Sequence, residues 1–230
     1  MAFNEVINRR RVFVTGGTGY LGGPLLAALL ARGHEVRALA RRGSEGGLPS
    51  GCDAVPGNAL DGASFADRVA PADTLVHLVG VSRPAPWKER QFREVDLASV
   101  EASITAARAA GVRHMVYLSV AHPSPVMKSY VAVRAECERR IAEAGLAATF
   151  VRPWYVLGPG HRWPYALIPL YALFERLPGT ADTARRLGLV RRAEVIAALV
   201  WAVENPAEGV RVMDVERIRS FRALAGPAPV

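Results

Sequence analysis

Only two cysteines occur in the 230 residues, Cys52 and Cys137. That scarcity excludes a disulfide framework and a cysteine-based metal cluster. It leaves two small thiols, buried or half-buried, in a reducing compartment, with no metal expected. Lysine is just as rare, at Lys88 and Lys128, whereas arginine is scattered along the whole chain and supplies nearly all of the positive charge behind a net charge of +8. A basic surface attracts nucleic acid or anionic membrane when the charge is clustered. Here it is dispersed in an alanine-rich chain, which reads as a habit of composition, and no nucleic-acid partner is expected. Long apolar runs are missing too. Met1 to Arg11 lacks the apolar core of a signal peptide, and the most apolar stretch, Tyr165 to Phe174, is short and contains Pro169. A soluble, cytoplasmic protein without a membrane span is the expectation. There is no internal repeat and no separating linker, so residues 1–230 are read as one domain, with a core over 11–153 and a compact substrate-side portion over 154–230.

The chain is organised around Val12-Phe13-Val14-Thr15-Gly16-Gly17-Thr18-Gly19-Tyr20-Leu21-Gly22. A β-favouring run becomes a turn nearly devoid of side chains, and Pro24 to Ala31 then forms helix. Strand, glycine turn and helix in that order form the dinucleotide-binding arrangement. Glycine lets the backbone turn tightly and approach a pyrophosphate, and the helix's first N–H groups point at that anion. Two glycine spacings fit: Gly17-x-Gly19-x-x-Gly22, and Gly16-x-x-Gly19-x-x-Gly22 preceded by Thr15.

A second strand follows at Glu35 to Ala40. An NAD site places a carboxylate near its end to hold the ribose 2′-hydroxyl. None stands there. Arg41 and Arg42 do, and guanidiniums suit a 2′-phosphate, so NADP is favoured over NAD; the alternative is that both are merely solvated. Further strands are expected at Asp53 to Pro56, Thr74 to Gly80, Val112 to Ser119 and Ala148 to Arg152. Helices are expected at Ala63 to Val69, Lys88 to Ala110 and Ser129 to Ala144. Beyond them come a short strand over Arg185 to Val190, a helix over Ala193 to Glu204 and a late strand over Gly209 to Val215. This alternation implies an α/β fold: a Rossmann-type doubly wound parallel sheet with helices on both faces. His77, within an apolar strand, is read as a core histidine rather than a catalyst.

In such a sheet, ligands bind beyond the carboxyl ends of the strands. Gly16 to Gly22, Arg41, Asn58, Val79-Gly80, Ser119 and Pro153 all follow strands and should converge on one crevice. Tyr130 and Arg134 are four residues apart and share a helix face. These stretches resemble the short-chain dehydrogenases/reductases. Val14 to Gly22 looks like the cofactor signature of their extended and atypical members. Gly57-Asn58-Ala59-Leu60-Asp61 is similar to their adenine-contacting segment, with asparagine in the first acidic place, and Arg152-Pro153 through Gly158-Pro159-Gly160 to a later motif. The likeness covers roughly residues 11–215 and is nearest the NAD(P)-binding epimerase/dehydratase-like group, which includes atypical members related to a respiratory complex I accessory subunit.

The resemblance implies cofactor contacts at Gly16, Thr18, Gly19, Tyr20, Leu21, Gly22, Arg41, Arg42, Asn58, Ala59, Val79, Gly80, Tyr130, Arg134 and Pro153. It also implies a serine, a tyrosine and a lysine four residues later as the reacting set. The matching positions are Ser119, Tyr130 and Arg134. The arginine departs from the pattern: it keeps the charge and could favour tyrosinate, but its fork is bulkier. The plain alternative is a surface pair of Arg134 with Glu138. Trp87, Trp154, Tyr155, Trp163, Tyr165, Tyr171 and Phe174 suggest an apolar, aromatic-lined pocket. Three functions follow from this frame: an NADPH-dependent oxidoreductase for a lipophilic or aromatic carbonyl or quinone-like substrate; a non-catalytic NADPH-binding sensing or assembly module that presents its surface to a protein partner; and an epimerase or dehydratase.

Overall fold

The computed structural model describes residues 9–159 and 186–223. Strands β1 (Arg11–Thr15), β2 (Glu35–Ala40), β3 (Asp53–Pro56), β4 (Thr74–His77), β5 (His114–Leu118) and β6 (Ala147–Val151) join a late strand, β9 (Val210–Met213), in one sheet. Its order is β3-β2-β1-β4-β5-β6-β9, and each of its pairings is parallel. Two short strands, β7 (Tyr155–Leu157) and β8 (Leu189–Arg191), pair separately, also in parallel.

A parallel sheet covered on both faces buries successive residues of each strand. In β1, Val12 and Val14 face one core and Phe13 the other. The first core is closed by α1 (Gly22–Ala31) and α6 (Arg192–Glu204), through Leu25, Leu26, Leu29, Val195 and Leu199. The second is closed by α2 (Ala66–Val69), α4 (Ala98–Ala109) and α5 (Lys128–Glu143), through Val69, Val100, Val133 and Ile141. The fold is the doubly wound one expected. Its order reverses between β1 and β4, which opens a crevice at their carboxyl ends.

Three expectations need correction. The helix expected over Lys88 to Ala110 is segmented. A 3₁₀ turn (Pro86–Lys88), α3 (Glu89–Gln91) and a π-helical stretch (Phe92–Leu97) precede α4. Strand β4 ends at His77 instead of Gly80, and beyond it the Val81 N–H donates to Asp96 Oδ2 at 3.0 Å. The helix expected over Ala63 to Val69 is a 3₁₀ turn followed by one α-helical turn. Strand β7 and a short α7 (Val215–Arg219) carried too few residues for a periodic signal.

Candidate cofactor and active site

The glycine turn connects β1 to α1. Gly16 has φ +80°, a left-handed conformation that favours glycine, and a Cβ there would lie 3.0 Å from the Leu78 carbonyl carbon and 3.1 Å from the Val79 nitrogen. The turn therefore touches the post-β4 segment backbone to backbone. A Cβ at Gly22 would overlap the carbonyl oxygens of Gly16 and Gly17. Helix α1 begins on that glycine, with no side-chain cap and no acidic residue in its first turn. Its leading N–H groups suit an anion. A pyrophosphate fits a turn built this way: the backbone approaches closely, no carboxylate repels it and the helix dipole favours it.

The other expected contacts lie on the same edge of the sheet. Gly17 is flanked by Ala38 of β2 and by Leu48, so the β2–β3 loop packs against the turn. Arg41 and Arg42 stand exposed at the start of that loop, and neither forms an ion pair with another described residue. Asn58 follows β3; its Oδ1 accepts from the Leu60 N–H at 3.1 Å, an Asx turn that holds the Asn58-Ala59 segment at the strand end. Pro153 follows β6, and its carbonyl accepts from the Ala121 N–H at 2.9 Å, which ties the post-β5 and post-β6 loops together.

Ser119 is buried directly after β5. Nearby, burial raises the Glu138 carboxyl, but hydrogen bonds from His122 and Arg152 outweigh this and hold it below its ordinary range. Glu138 is thus occupied by Arg152 and His122, not by Arg134. The surface pair considered from sequence is absent.

Arg134 is buried instead. Its Nη2 lies 2.7 Å from Asp96 Oδ1, and its Nη1 donates to the Tyr117 hydroxyl at 3.2 Å and to the Leu118 carbonyl at 2.8 Å. The guanidinium carbon sits 5.2 Å from the centroid of the Tyr130 ring. Tyr130 and Arg134 do share a face of α5, and they meet by cation–π contact. Gly80 is shaped around this group: a Cβ there would overlap Arg134 Nη2. Breaking a buried pair of this kind costs about 3–5 kcal/mol, because the remaining charge is left uncompensated. Burial raises the Tyr130 phenol above its ordinary range, and the Arg134 charge offsets this only in part, so the expected drift toward tyrosinate does not occur without ligand.

Sequence reasoning missed Asp96, Tyr117 and Arg192. Asp96 is fully buried on the π-helical stretch, and Tyr117 is buried on β5. A signal for Asp96 did exist, since it stands four residues from both Phe92 and Val100 and so puts a carboxylate on the apolar stripe. Tyr20 carries the guanidinium of Arg192 over its ring at 5.1 Å. Of the aromatic set, Trp154 and Tyr155 contact each other edge to face at 5.7 Å, while Trp87 is 84% exposed. Trp163, Tyr165, Tyr171 and Phe174 lie outside the described residues. His77 is buried between Thr15 (3.0 Å), Ser103 (2.9 Å) and Ser99 (3.3 Å). Burial, with the Arg134 charge, lowers its pKa to about 3, so it is a neutral core histidine, as expected.

Residues 16–168 match the NAD(P)H-binding domain family. The chain belongs to that family, in its atypical short-chain dehydrogenase/reductase branch. Among relatives of this NAD(P)H-binding chain, ceramide reductase of Caulobacter vibrioides is 30% identical over 90% of the chain and 65% of its own length. A 3-diazoavenalumate denitrifying reductase of a Streptomyces species is 30% identical over 86% of the chain and 74% of its own length. Among solved structures, UDP-glucose 4-epimerase of Thermus thermophilus in complex with NAD superposes with a TM-score of 0.65 at 21% identity, over 95% of this chain and 84% of that one. The chain thus spans just under two thirds of the ceramide reductase. No helix among the described residues is long and apolar enough to cross a membrane.

Proposed function

We propose that this family member is an NADPH-dependent oxidoreductase acting on a lipophilic or aromatic carbonyl or quinone-like substrate. The observation that carries the reading is the juxtaposition, at the switch-point edge of the sheet, of an uncapped glycine turn with Ser119 and a protonated Tyr130. Relatives named as reductases support the reaction class, and one named for ceramide supports a lipophilic substrate. The exposed guanidiniums of Arg41 and Arg42, at the start of the loop that packs against the turn, support NADPH over NADH through bidentate contacts to a 2′-phosphate.

When bound, the reduced nicotinamide supplies a hydride to the carbonyl carbon. The chain supplies the rest. Ser119 holds the carbonyl oxygen, and Tyr130, protonated at neutral pH as an ordinary phenol is, donates its proton to that oxygen as the alcohol forms. Arg134 steadies the phenolate left behind, through the face of its ring.

One observation favours a second reading. The guanidinium at the position where the family pattern has lysine is already taken by Asp96, Tyr117 and the Leu118 carbonyl, which suits a protein that binds NADPH without turnover. NADPH consumption with a panel of aromatic ketones and quinones separates the two. Catalysis predicts turnover that falls about 10²–10⁴-fold in Tyr130→Phe at saturating NADPH. Full turnover by Tyr130→Phe contradicts the assignment of the acid, and tight NADPH binding without consumption by the native protein supports the second reading.

A further inference from the structure

We propose that the amino-terminal end of the sheet carries a buried site for one small inorganic anion of chloride size, with the Arg10 guanidinium, the Thr74 hydroxyl and the His114 imidazole as its donors. The site lies at the opposite end of the strands from the glycine turn, and it stands independently of what the cofactor edge does.

The sheet brings these groups together. Val12, Val76, Val116, Val151 and Met213 all belong to the core closed by α1 and α6. Side chains two residues apart share a face of a strand. Arg10, Thr74, His114, Thr149 and Arg211 each stand two residues before one of those apolar side chains, so they form a polar row across the same face at the amino-terminal end. Thr74 is the Cα partner of Val12 on β1 and of His114 on β5. Strands paired in this way run about 4.8 Å apart. Arg10 continues the line of β1: its carbonyl accepts from the Glu35 N–H at 2.9 Å, and its own N–H donates to His34 Nδ1 at 3.2 Å.

Three atoms of this row are buried without a hydrogen-bond partner among the described residues: Arg10 Nε, Thr74 Oγ1 and His114 Nδ1. Thr74 and His114 are each only 1% exposed. Burying a polar group without a partner is costly, so a small bound species is the expected partner. All three groups can donate, and Arg10 Nε–H can do nothing else. His114 Nε2 lies 3.0 Å from Thr149 Oγ1. With the threonine hydroxyl donating to Nε2, the hydrogen of the neutral ring sits on Nδ1. Charge then favours an anion over water. Burial, followed by the charges of Arg211 and Arg10, lowers His114 to about 4, so both guanidiniums act on it and neither is masked. Arg211 spends Nη1 on the Asn205 carbonyl and lies over Trp201 at 5.0 Å, so it adds positive field without closing the site. The carboxylates at this end are committed elsewhere, Glu204 to Arg32 and His34, and Asp73 to Arg11 and Arg113. Three single donors on neighbouring strands suit a spherical ion, whereas the four oxygens of a phosphate need more.

The test is thermal unfolding at pH 7 in sodium gluconate, with gluconate replaced stepwise by chloride at constant ionic strength and no cofactor present. An ion that binds only the folded state raises the midpoint in proportion to its occupancy, so the native protein should gain about 2–4 °C in a manner that begins to saturate. Arg10→Gln removes the charge, and Thr74→Val removes one donor while keeping the shape and suiting a strand. Each should lose most of the chloride response. In gluconate alone, Thr74→Val should be at least as stable as the native protein, because it deletes a buried hydroxyl that has no partner there. If the three groups hold an ordered water only, the native midpoint is the same in both salts, and the proposal is overturned. A rise that either variant keeps in full puts the chloride elsewhere and overturns it too. None of these readings depends on NADPH, so failure of the native protein to bind the cofactor would sink the functional reading and leave this one standing.

Discussion

Gly22 and Gly23 are adjacent residues at the start of the same helix, yet they carry opposite constraints. A Cβ on Gly22 would overlap two carbonyl oxygens of the turn that precedes it, and backbone cannot give way as a side-chain end can. A Cβ on Gly23 would meet nothing within 4 Å. Gly22→Ala should therefore distort the turn and cost about 1–3 kcal/mol, with loss of NADPH binding. Gly23→Ala should be neutral or stabilise by up to about 1 kcal/mol, since alanine is the better helix former. Urea unfolding together with a cofactor titration checks both, and equal behaviour of the two variants would refute the overlap. Gly22 was legible because the glycine spacing belongs to a known turn. Arg134 was legible as a departure from lysine, but its partner was not, because Asp96 is 38 positions away in sequence. Only the fold brings them together.

At the scale of elements, strands were easier to read than helices. The continuous apolar runs of β1, β4 and β5 announce strands buried on both faces. The helical stretch before α4 kept its apolar stripe while changing its winding, and periodicity alone does not distinguish a π segment from an α-helix over six residues. The histidines of β4 and β5 give the central strands a pH dependence. Burial lowers His77 to about 3, and burial lowers His114 to about 4. Both are neutral in the folded protein and gain a proton on unfolding once the pH drops below about 6.5. The unfolded state then binds more protons, so stability falls as pH falls, over the window from about 6.5 down to the folded values. The slope reaches about 1.4 kcal/mol per pH unit for each histidine. Carboxylates held low, such as Glu138, act in the same direction at lower pH, so a variant is needed for attribution. Urea unfolding of the native protein and of His114→Gln at pH 7 and pH 5 checks this: the variant should lose less stability across the interval, and identical losses would contradict a neutral buried His114.

For the molecule as a whole, the parallel order β3-β2-β1-β4-β5-β6-β9 brings residues scattered from Gly16 to Pro153 to one edge of the sheet. That convergence was legible in the alternation of strands and helices. What the edge does chemically was only partly legible, because the aromatic residues over 161–174 fall outside the described residues and Trp87 faces solvent. On the proposed reading, a dinucleotide lies on the glycine turn with its adenosine end toward Arg41 and Arg42. A titration with NADPH and with NADH, followed by nicotinamide fluorescence in the native protein and in Arg41→Ser/Arg42→Ser, tests it most directly. Binding should be saturable and tighter for NADPH than for NADH, with a preference that disappears in the double variant. Equal affinity of the native protein for both would contradict the assignment of the arginines, and binding of neither would contradict the site itself.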